Sequence, residues 1–312
     1  MATRLGGGAE FDRIRAIVKA LGPRGSLLGN DVVLLPLGGE YLALSTDVSV
    51  EGVHFRRAWL DLEEIGWRAA AGALSDLAAV GARVLGVLGA LTVPPETSGD
   101  AIARVMRGVD AAAGSVGGQL LGGDLSRGEA MSLAITVVGV TSQVMTRSGA
   151  KPGDGLWVTG ELGGARAALT AWTAGRAPDS HARSRFARPE PRLAAGAWLV
   201  EHGATAMLDL SDGLGGDAGH LAAASGVALS IVLEQLPLDP AVPAEAELLG
   251  ETAAEFAARG GEDYELLVAM PAGFEGTEQF RLTRIGMVSA GAGVALTLAG
   301  RPLTLRGYDH FA

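Results

Sequence analysis

Apolar positions change their period along the chain, and each change marks out an element. Residues 10–21 (EFDRIRAIVKAL) place apolar side chains at helical spacing and run into Gly22-Pro23, a helix stop. Two β-like runs follow at 31–37 (DVVLLPL) and 41–46 (YLALST), joined as a hairpin through Gly38-Gly39-Glu40. The segment 61–80 (DLEEIGWRAAAGALSDLAAV) predicts a helix, with Asp61 as its N-cap and Gly81 just beyond its end. A strand near 83–93, a helix near 99–113 and apolar strands near 117–122 and 131–140 complete this half.

The turn formers of 147–154 (RSGAKPGD) mark the boundary, giving domains 1–148 and 149–312. Beyond it, strand 155–159 leads into helix 162–173, and the polar, Arg/Pro-rich stretch 175–192 reads as an exposed loop. Helix 192–202, strand 204–210, helix 214–224 and strand 227–233 come next, and strands near 264–269, 282–288 and 293–298 close the pattern. Strands and helices mix in both halves, which predicts α/β (or α+β) domains with mixed sheets packed with helices.

Composition narrows the chemistry. The 312 residues contain no cysteine, which removes disulfides, thiolate metal sites and a cysteine nucleophile. Lys and Arg number 25 against 35 Asp and Glu, a net charge of −10 that argues against a broad nucleic-acid or anionic-membrane surface. The start MATRLGGGAEFDRIR lacks the apolar core of a signal peptide. Long stretches free of charged residues, such as 218–233 and 285–300, fall short of the ~20 residues a membrane helix needs. A cytoplasmic protein is the expectation. Lysine occurs only at 19 and 151, and no Gly-Lys-Ser/Thr exists, so phosphate handling through a P-loop is excluded.

The aspartates carry more. Asp31, Asp47, Asp76, Asp124 and Asp209 interrupt apolar or small-residue runs, and Asp212 follows three residues after Asp209. Asp47, Asp124 and Asp209 lie at or near the C-terminal ends of strand-like runs, where α/β sheets bind ligands. None has a Lys or Arg within two residues. Buried carboxylates are normally paired or bound to metal, and an all-oxygen donor set points to Mg²⁺ before Ca²⁺ or Mn²⁺. Taken singly, each also fits an N-cap, turn or surface acid. Gly213-Leu-Gly215-Gly-Asp-Ala218, with Glu234 further on, fits a loose dinucleotide-binding pattern, but a nicotinamide-dependent reading leaves the other aspartates unexplained.

Eight blocks together resemble the thiamine-monophosphate kinase family, within the aminoimidazole ribonucleotide synthetase-like superfamily. They are GND (29–31), LSTDVSVEGVHF (44–55), LSDLAAVGA (74–82), GGD (122–124), TRSGAKPGD (146–154), LDLSDGL (208–214), GGEDYELL (260–267) and GYDHFA (307–312). The resemblance implies the two-domain superfamily fold, a homodimer, and ATP-dependent, Mg²⁺-assisted phosphorylation of thiamine phosphate to thiamine diphosphate. Carried over position by position, Asp31, Ser45, Thr46, Asp47, Asp76, Asp124, Asp209 and Asp212 match metal ligands for several Mg²⁺ ions. Gly123, Asp124, Arg147 and Ser211 match nucleotide contacts, and His54, Glu262 and Tyr308 match positions that hold thiamine phosphate. Given the acidic balance, no nucleic-acid or membrane partner is expected, and a phosphate acceptor already mostly dianionic at pH 7 needs no strong general base. Asn30 stands where the family usually has a second aspartate, and Leu-Ser-Arg-Gly follows Asp124 where Thr-Thr-Arg-Gly is common. Two alternatives share these residues: a non-catalytic Mg-nucleotide-binding homologue, and a superfamily kinase or synthetase acting on another acceptor.

Overall fold

Two sheets, one in each half, carry the chain in a computed structural model that describes residues 6–25, 27–305, 307–308 and 311. The first half runs α1 (Ala9–Leu21), β1 (Val33–Leu37), β2 (Glu40–Val50), α2 (Leu62–Ala79), β3 (Arg83–Val93), α3 (Gly99–Ser115), β4 (Leu120–Arg127) and β5 (Ser132–Thr141). The second runs β6 (Gly155–Thr159), α4 (Gly164–Thr173), α5 (Ser180–Ala187), α6 (Leu193–Glu201), β7 (Ala206–Asp209), α7 (Leu214–Ser225) and β8 (Ala228–Val232). It continues through α8 (Val242–Leu249), α9 (Ala253–Arg259), β9 (Leu266–Met270), β10 (Leu282–Ser289), β11 (Gly293–Leu298) and β12 (Arg301–Leu303). The sheets are ordered β1-β2-β5-β3-β4 and β12-β11-β8-β10-β6-β9-β7, both mixed, as the alternation of elements predicts. Gly38 and Gly39 close the β1–β2 hairpin at φ 58° and 96°, the left-handed values that a tight hairpin turn demands.

Some elements escape the pattern. The stretch 175–192, expected as loop, contains α5, whose start is capped by Asp179 accepting from the His181 and Ala182 N–H groups. Only Ala182, Phe186 and Ala187 of α5 are buried, so its apolar signal is thin; Arg183 instead forks onto Glu64 of α2 at 2.7 and 2.8 Å. The helices α8 and α9 and the strand β12 are equally short, below the length at which period separates helix from loop. The strand expected at 117–122 begins only at Leu120, because Gly117 turns the chain at φ 80°.

Helix α2 is the element both halves share. Its N-terminus is closed by a reciprocal cap between Asp61 and Glu64, and 14 of its 18 residues are buried. It packs on β2 and β5 and on α3, and also against α5, α6 and β7 of the second half. Burial on every side requires small side chains, which the run Arg68-Ala-Ala-Ala-Gly-Ala73 supplies. The crossing with α3 is closer still: a Cβ at Gly66 would sit 1.9 Å from the Val105 carbonyl oxygen, and one at Gly108 1.9 Å from that of Glu63.

The register of the first sheet sorts its residues onto two faces. Asp47 aligns with Ile135, Gly89 and Gly123 across successive strands, and Val48 with Ala134, Ala90 and Asp124. The first row faces α2, where Ile135 is buried. The second lies on the opposite face, which no element covers among the described residues and which leaves Leu35, Val48 and Leu88 exposed. No helix among the described residues is long and apolar enough to cross a membrane.

Candidate active site

Four aspartates from distant stretches meet beside α2. Asp31 comes from the loop before β1, Asp47 from the covered face of β2, Asp76 from α2 and Asp209 from the end of β7. One carboxylate oxygen each from Asp31, Asp76 and Asp209 lies within 4.8 Å of the others. Ser45, on the same face of β2 as Asp47, donates its hydroxyl to Asp76 Oδ2 at 2.5 Å. Burial, then the charges of Asp47, Asp209 and Asp31, push the Asp76 carboxyl well above its ordinary range. Burial and then Asp31 raise Asp209 to about 7. Asp47 rises to about 6 through burial, Asp31 and Glu10, although part of its surface stays open to solvent.

Among the described residues, positive charge at this cluster is scarce. Arg147, buried in the connection between the halves, pairs with Asp31. Burial works against its charge, and Asp31, Asp217 and Asp209 hold it protonated. Asn30, which precedes Asp31 in the chain, has its Oδ1 buried without a hydrogen-bond partner. Among the described residues, several crowded acids with one arginine make a hard, oxygen-only donor set short of cations, which fits magnesium.

The remaining predicted residues fall into three groups. Ser211 and Asp212 follow β7 and flank the cluster; the Asp212 N–H donates to Asp217 Oδ2 at 3.1 Å, and its carbonyl accepts the Tyr308 N–H at 2.8 Å. Tyr308, itself exposed, is thus tied to the loop that leaves β7. His54 Nδ1 accepts the Val50 N–H at 3.1 Å, which puts the proton of the neutral ring on Nε2. Glu262 sits at φ 63° with its N–H donated to the Ser211 carbonyl at 2.7 Å, and its carboxylate pairs with Arg68. Tyr264, at φ 51°, donates its N–H to the Leu210 carbonyl. Two non-glycine residues held left-handed in one short segment are the kind of backbone strain that gathers at functional sites.

Thr46 and Asp124 stand apart from this group. Neighbouring residues of a strand point to opposite faces, so Thr46 lies on the uncovered side of the sheet, where its hydroxyl meets that of Thr136. Asp124 is on the same uncovered face, exposed on the edge strand β4. It lies three strand spacings from Val48, roughly 14 Å along the sheet. Gly123 shares that edge; a Cβ there would lie 1.9 Å from the Gly89 carbonyl oxygen. A hollow of about 420 Å³ lined by Arg57, Asp61, Glu96, Ser98 and Arg104 holds none of the predicted residues.

Two participants were not anticipated. Asp217, in the first turn of α7, is buried next to Asp212 and Asp209; burial and those charges push it well above the ordinary range. Its only sequence signal is an acid at a helix start. Arg68 is buried in α2 and reaches across to the second half. Its Nε donates to the His54 carbonyl at 3.2 Å and a terminal nitrogen to the Phe186 carbonyl at 2.5 Å. Its guanidinium pairs with Glu262 and lies 3.7 Å from the Phe186 ring centroid. A lone arginine within a run of alanines was the available signal.

Comparison with known proteins identifies the family of the chain. Residues 29–141 match the family model for the N-terminal domain of AIR synthase related proteins, and residues 151–298 match that for the C-terminal domain. The fold class is therefore that of the AIR synthase related proteins. The thiamine-monophosphate kinase of Aquifex aeolicus is 33% identical over 307 residues, covering 97% of this chain and 98% of the relative. That of Escherichia coli K12 is 36% identical over 327 residues, covering 97% and 96%. The solved structure described as AaThiL complexed with AMPPCP and TMP superposes with a TM-score of 0.89 at 33% identity, covering 97% of both chains. The thiamine-monophosphate kinase of Stenotrophomonas maltophilia K279a gives 0.77 at 35% identity, covering 96% and 98%. The chain belongs to the thiamine-monophosphate kinase family.

Proposed function

We propose that this chain transfers the γ-phosphoryl group of ATP to thiamine phosphate, giving thiamine diphosphate and ADP. The observation that carries the reading is the convergence of Asp31, Asp47, Asp76 and Asp209 from both halves into one cluster that is short of cations among the described residues, in a chain similar to thiamine-monophosphate kinases over nearly its whole length. The acceptor is a phosphate whose second pKa is about 6, so at pH 7 it is mostly dianionic and needs no general base. Its oxygen bonds to the γ-phosphorus as the bond to the β–γ bridging oxygen breaks, and ADP leaves with that electron pair. The task left to the protein is to bring two polyanions into line and offset their repulsion. Magnesium ions, when bound, supply that charge neutralisation.

In this reading Asp31, Ser45, Asp47, Asp76, Asp209 and Asp212 would hold magnesium beside α2, and Thr46 and Asp124, on the other face of the sheet, would serve separate ions of the several. Arg147, Gly123, Asp124 and Ser211 hold the nucleotide. His54 offers its Nε2 proton to the substrate phosphate, Glu262 sets a carboxylate against the cationic thiazolium, and Tyr308 lays its ring against the substrate. Residues 1–148 bind nucleotide and metal, and residues 149–312 complete the site. A homodimer seated on the uncovered face of the first sheet buries Leu35, Val48 and Leu88 and encloses Thr46 and Asp124, which a single chain leaves open. Sedimentation giving a one-chain mass would remove the dimer. The enzyme is cytoplasmic in this reading, where its co-substrate ATP is supplied.

The test is Asp47→Asn, assayed for ADP and thiamine diphosphate with ATP, Mg²⁺ and thiamine phosphate. Turnover falls by more than about 100-fold, beyond what loss of an outer-shell partner costs, with an unchanged circular dichroism spectrum. Near-normal turnover would mean that Asp47 holds no metal.

A further inference from the structure

The turn after β6, the start of α5 and the loop before α8 bring Glu161, His181 and Asp239 together, apart from the acidic cluster of the active site. One donor atom of each lies within 4.8 Å of the other two. His181 Nε2 is 3.2 Å from Asp239 Oδ2 and 3.8 Å from Glu161 Oε2. Asp239 is completely buried; its Oδ1 accepts the Ala241 N–H at 2.9 Å, while Oδ2 is buried with no hydrogen-bond partner. Glu161 spends Oε1 on Arg281, leaving Oε2 for the cluster. Arg185 is engaged by Glu265 and by the Glu161 carbonyl, so it does not neutralise the pair of free oxygens.

We propose that Glu161, His181 and Asp239 bind one divalent transition-metal ion of the zinc type, with a fourth position open to water. Around a tetrahedral ion with bonds of about 2.0–2.1 Å, ligand atoms stand about 3.3 Å apart, and the two separations from His181 Nε2 bracket that value. His181 Nε2 and Asp239 Oδ2 stand 3.2 Å apart without the alignment of a hydrogen bond, so Oδ2 remains unpaired. The free oxygen of each carboxylate is aimed by the partner on its other oxygen, as outer-shell groups aim metal ligands. An imidazole with two carboxylates suits Zn²⁺ or Co²⁺, whereas Mg²⁺ prefers oxygen alone. The half-exposed His181 side chain leaves a path for entry.

The position gives the ion a structural task. The helix α5 carries Arg183, which grips Glu64 of α2, and Phe186, which holds Arg68 through its carbonyl and ring. An ion that clips the start of α5 to the β6–α4 turn stabilises this side of the molecule by binding only the folded form.

The experiment uses the full chain in excess Mg²⁺, which fills the oxygen-only cluster, and titrates it with Co²⁺. One Co²⁺ per chain is expected, with the intense visible bands of four-coordinate cobalt rather than the weak bands of an octahedral site, and Zn²⁺ displaces it. His181→Ala abolishes the bands, Glu161→Gln lowers affinity at least about tenfold, and Zn²⁺ raises the melting temperature of the native chain but not of His181→Ala. Absence of intense bands in the native chain overturns the proposal, as does their persistence in His181→Ala. Should His181→Ala lose its circular dichroism spectrum, unchanged Co²⁺ affinity in Glu161→Gln overturns it equally.

Discussion

Replacing Asp209 by Asn should make the metal-free protein more stable while removing its response to magnesium. Asp209 is buried at the end of β7, and burial together with Asp31 lifts its carboxyl from the ordinary 3.8 to about 7. A folded-state pKa above the unfolded one means that ionisation works against the fold. The stability is fully present below pH 3.8 and is lost as the pH rises through 7. At 1.36 kcal/mol per pH unit, the full gap comes to roughly 4 kcal/mol at pH 8. Asparagine keeps the shape without the charge. Neighbouring acids share protons with Asp209, so the recovered stability should be about 1–4 kcal/mol. Urea unfolding in EDTA should give Asp209→Asn the higher midpoint at pH 8, with the advantage shrinking toward pH 5. Added Mg²⁺ should raise the native midpoint strongly and that of the variant little. The reasoning fails if the variant is the less stable protein at pH 8 in EDTA, or if its advantage does not change with pH.

Three further outcomes follow from the packing of α2 and α3. Arg68→Lys keeps the charge but loses the fork that joins His54, Phe186 and Glu262. It should lower kcat/KM for thiamine phosphate by about 10- to 100-fold through misplacement of the substrate contacts, with the KM for ATP nearly unchanged. Equal changes for both substrates would show Arg68 to be merely part of the core. Gly66→Ala forces a methyl group against the Val105 carbonyl and should cost roughly 1–3 kcal/mol in thermal or urea unfolding. Gly114→Ala in α3 meets nothing within 4 Å and should be neutral or stabilising by up to about 1 kcal/mol.

Local chemistry was legible in the amino-acid order. The Gly38-Gly39 hairpin, the Asp61 cap and the long strands β3 and β5 follow from turn residues and period, because those depend on a few neighbouring residues. The candidate acids were legible too, since a carboxylate within an apolar run needs a compensating cation where the fold buries it, as it does Asp76 and Asp209 and not Asp124. Strand alternation alone also separates Thr46 from Asp47, although they are adjacent in the chain. What the order of residues left undecided was which groups meet. Asp31, Asp76 and Asp209 become neighbours only because α2, made of small residues, is packed against both halves at once. The same packing decides that Arg68 braces Glu262 and that the polar stretch 180–187 coils into α5 to grip Glu64 and Phe186's partners. Period and capping are short-range, whereas the energy of gathering like charges is set by the packing of elements more than a hundred residues apart.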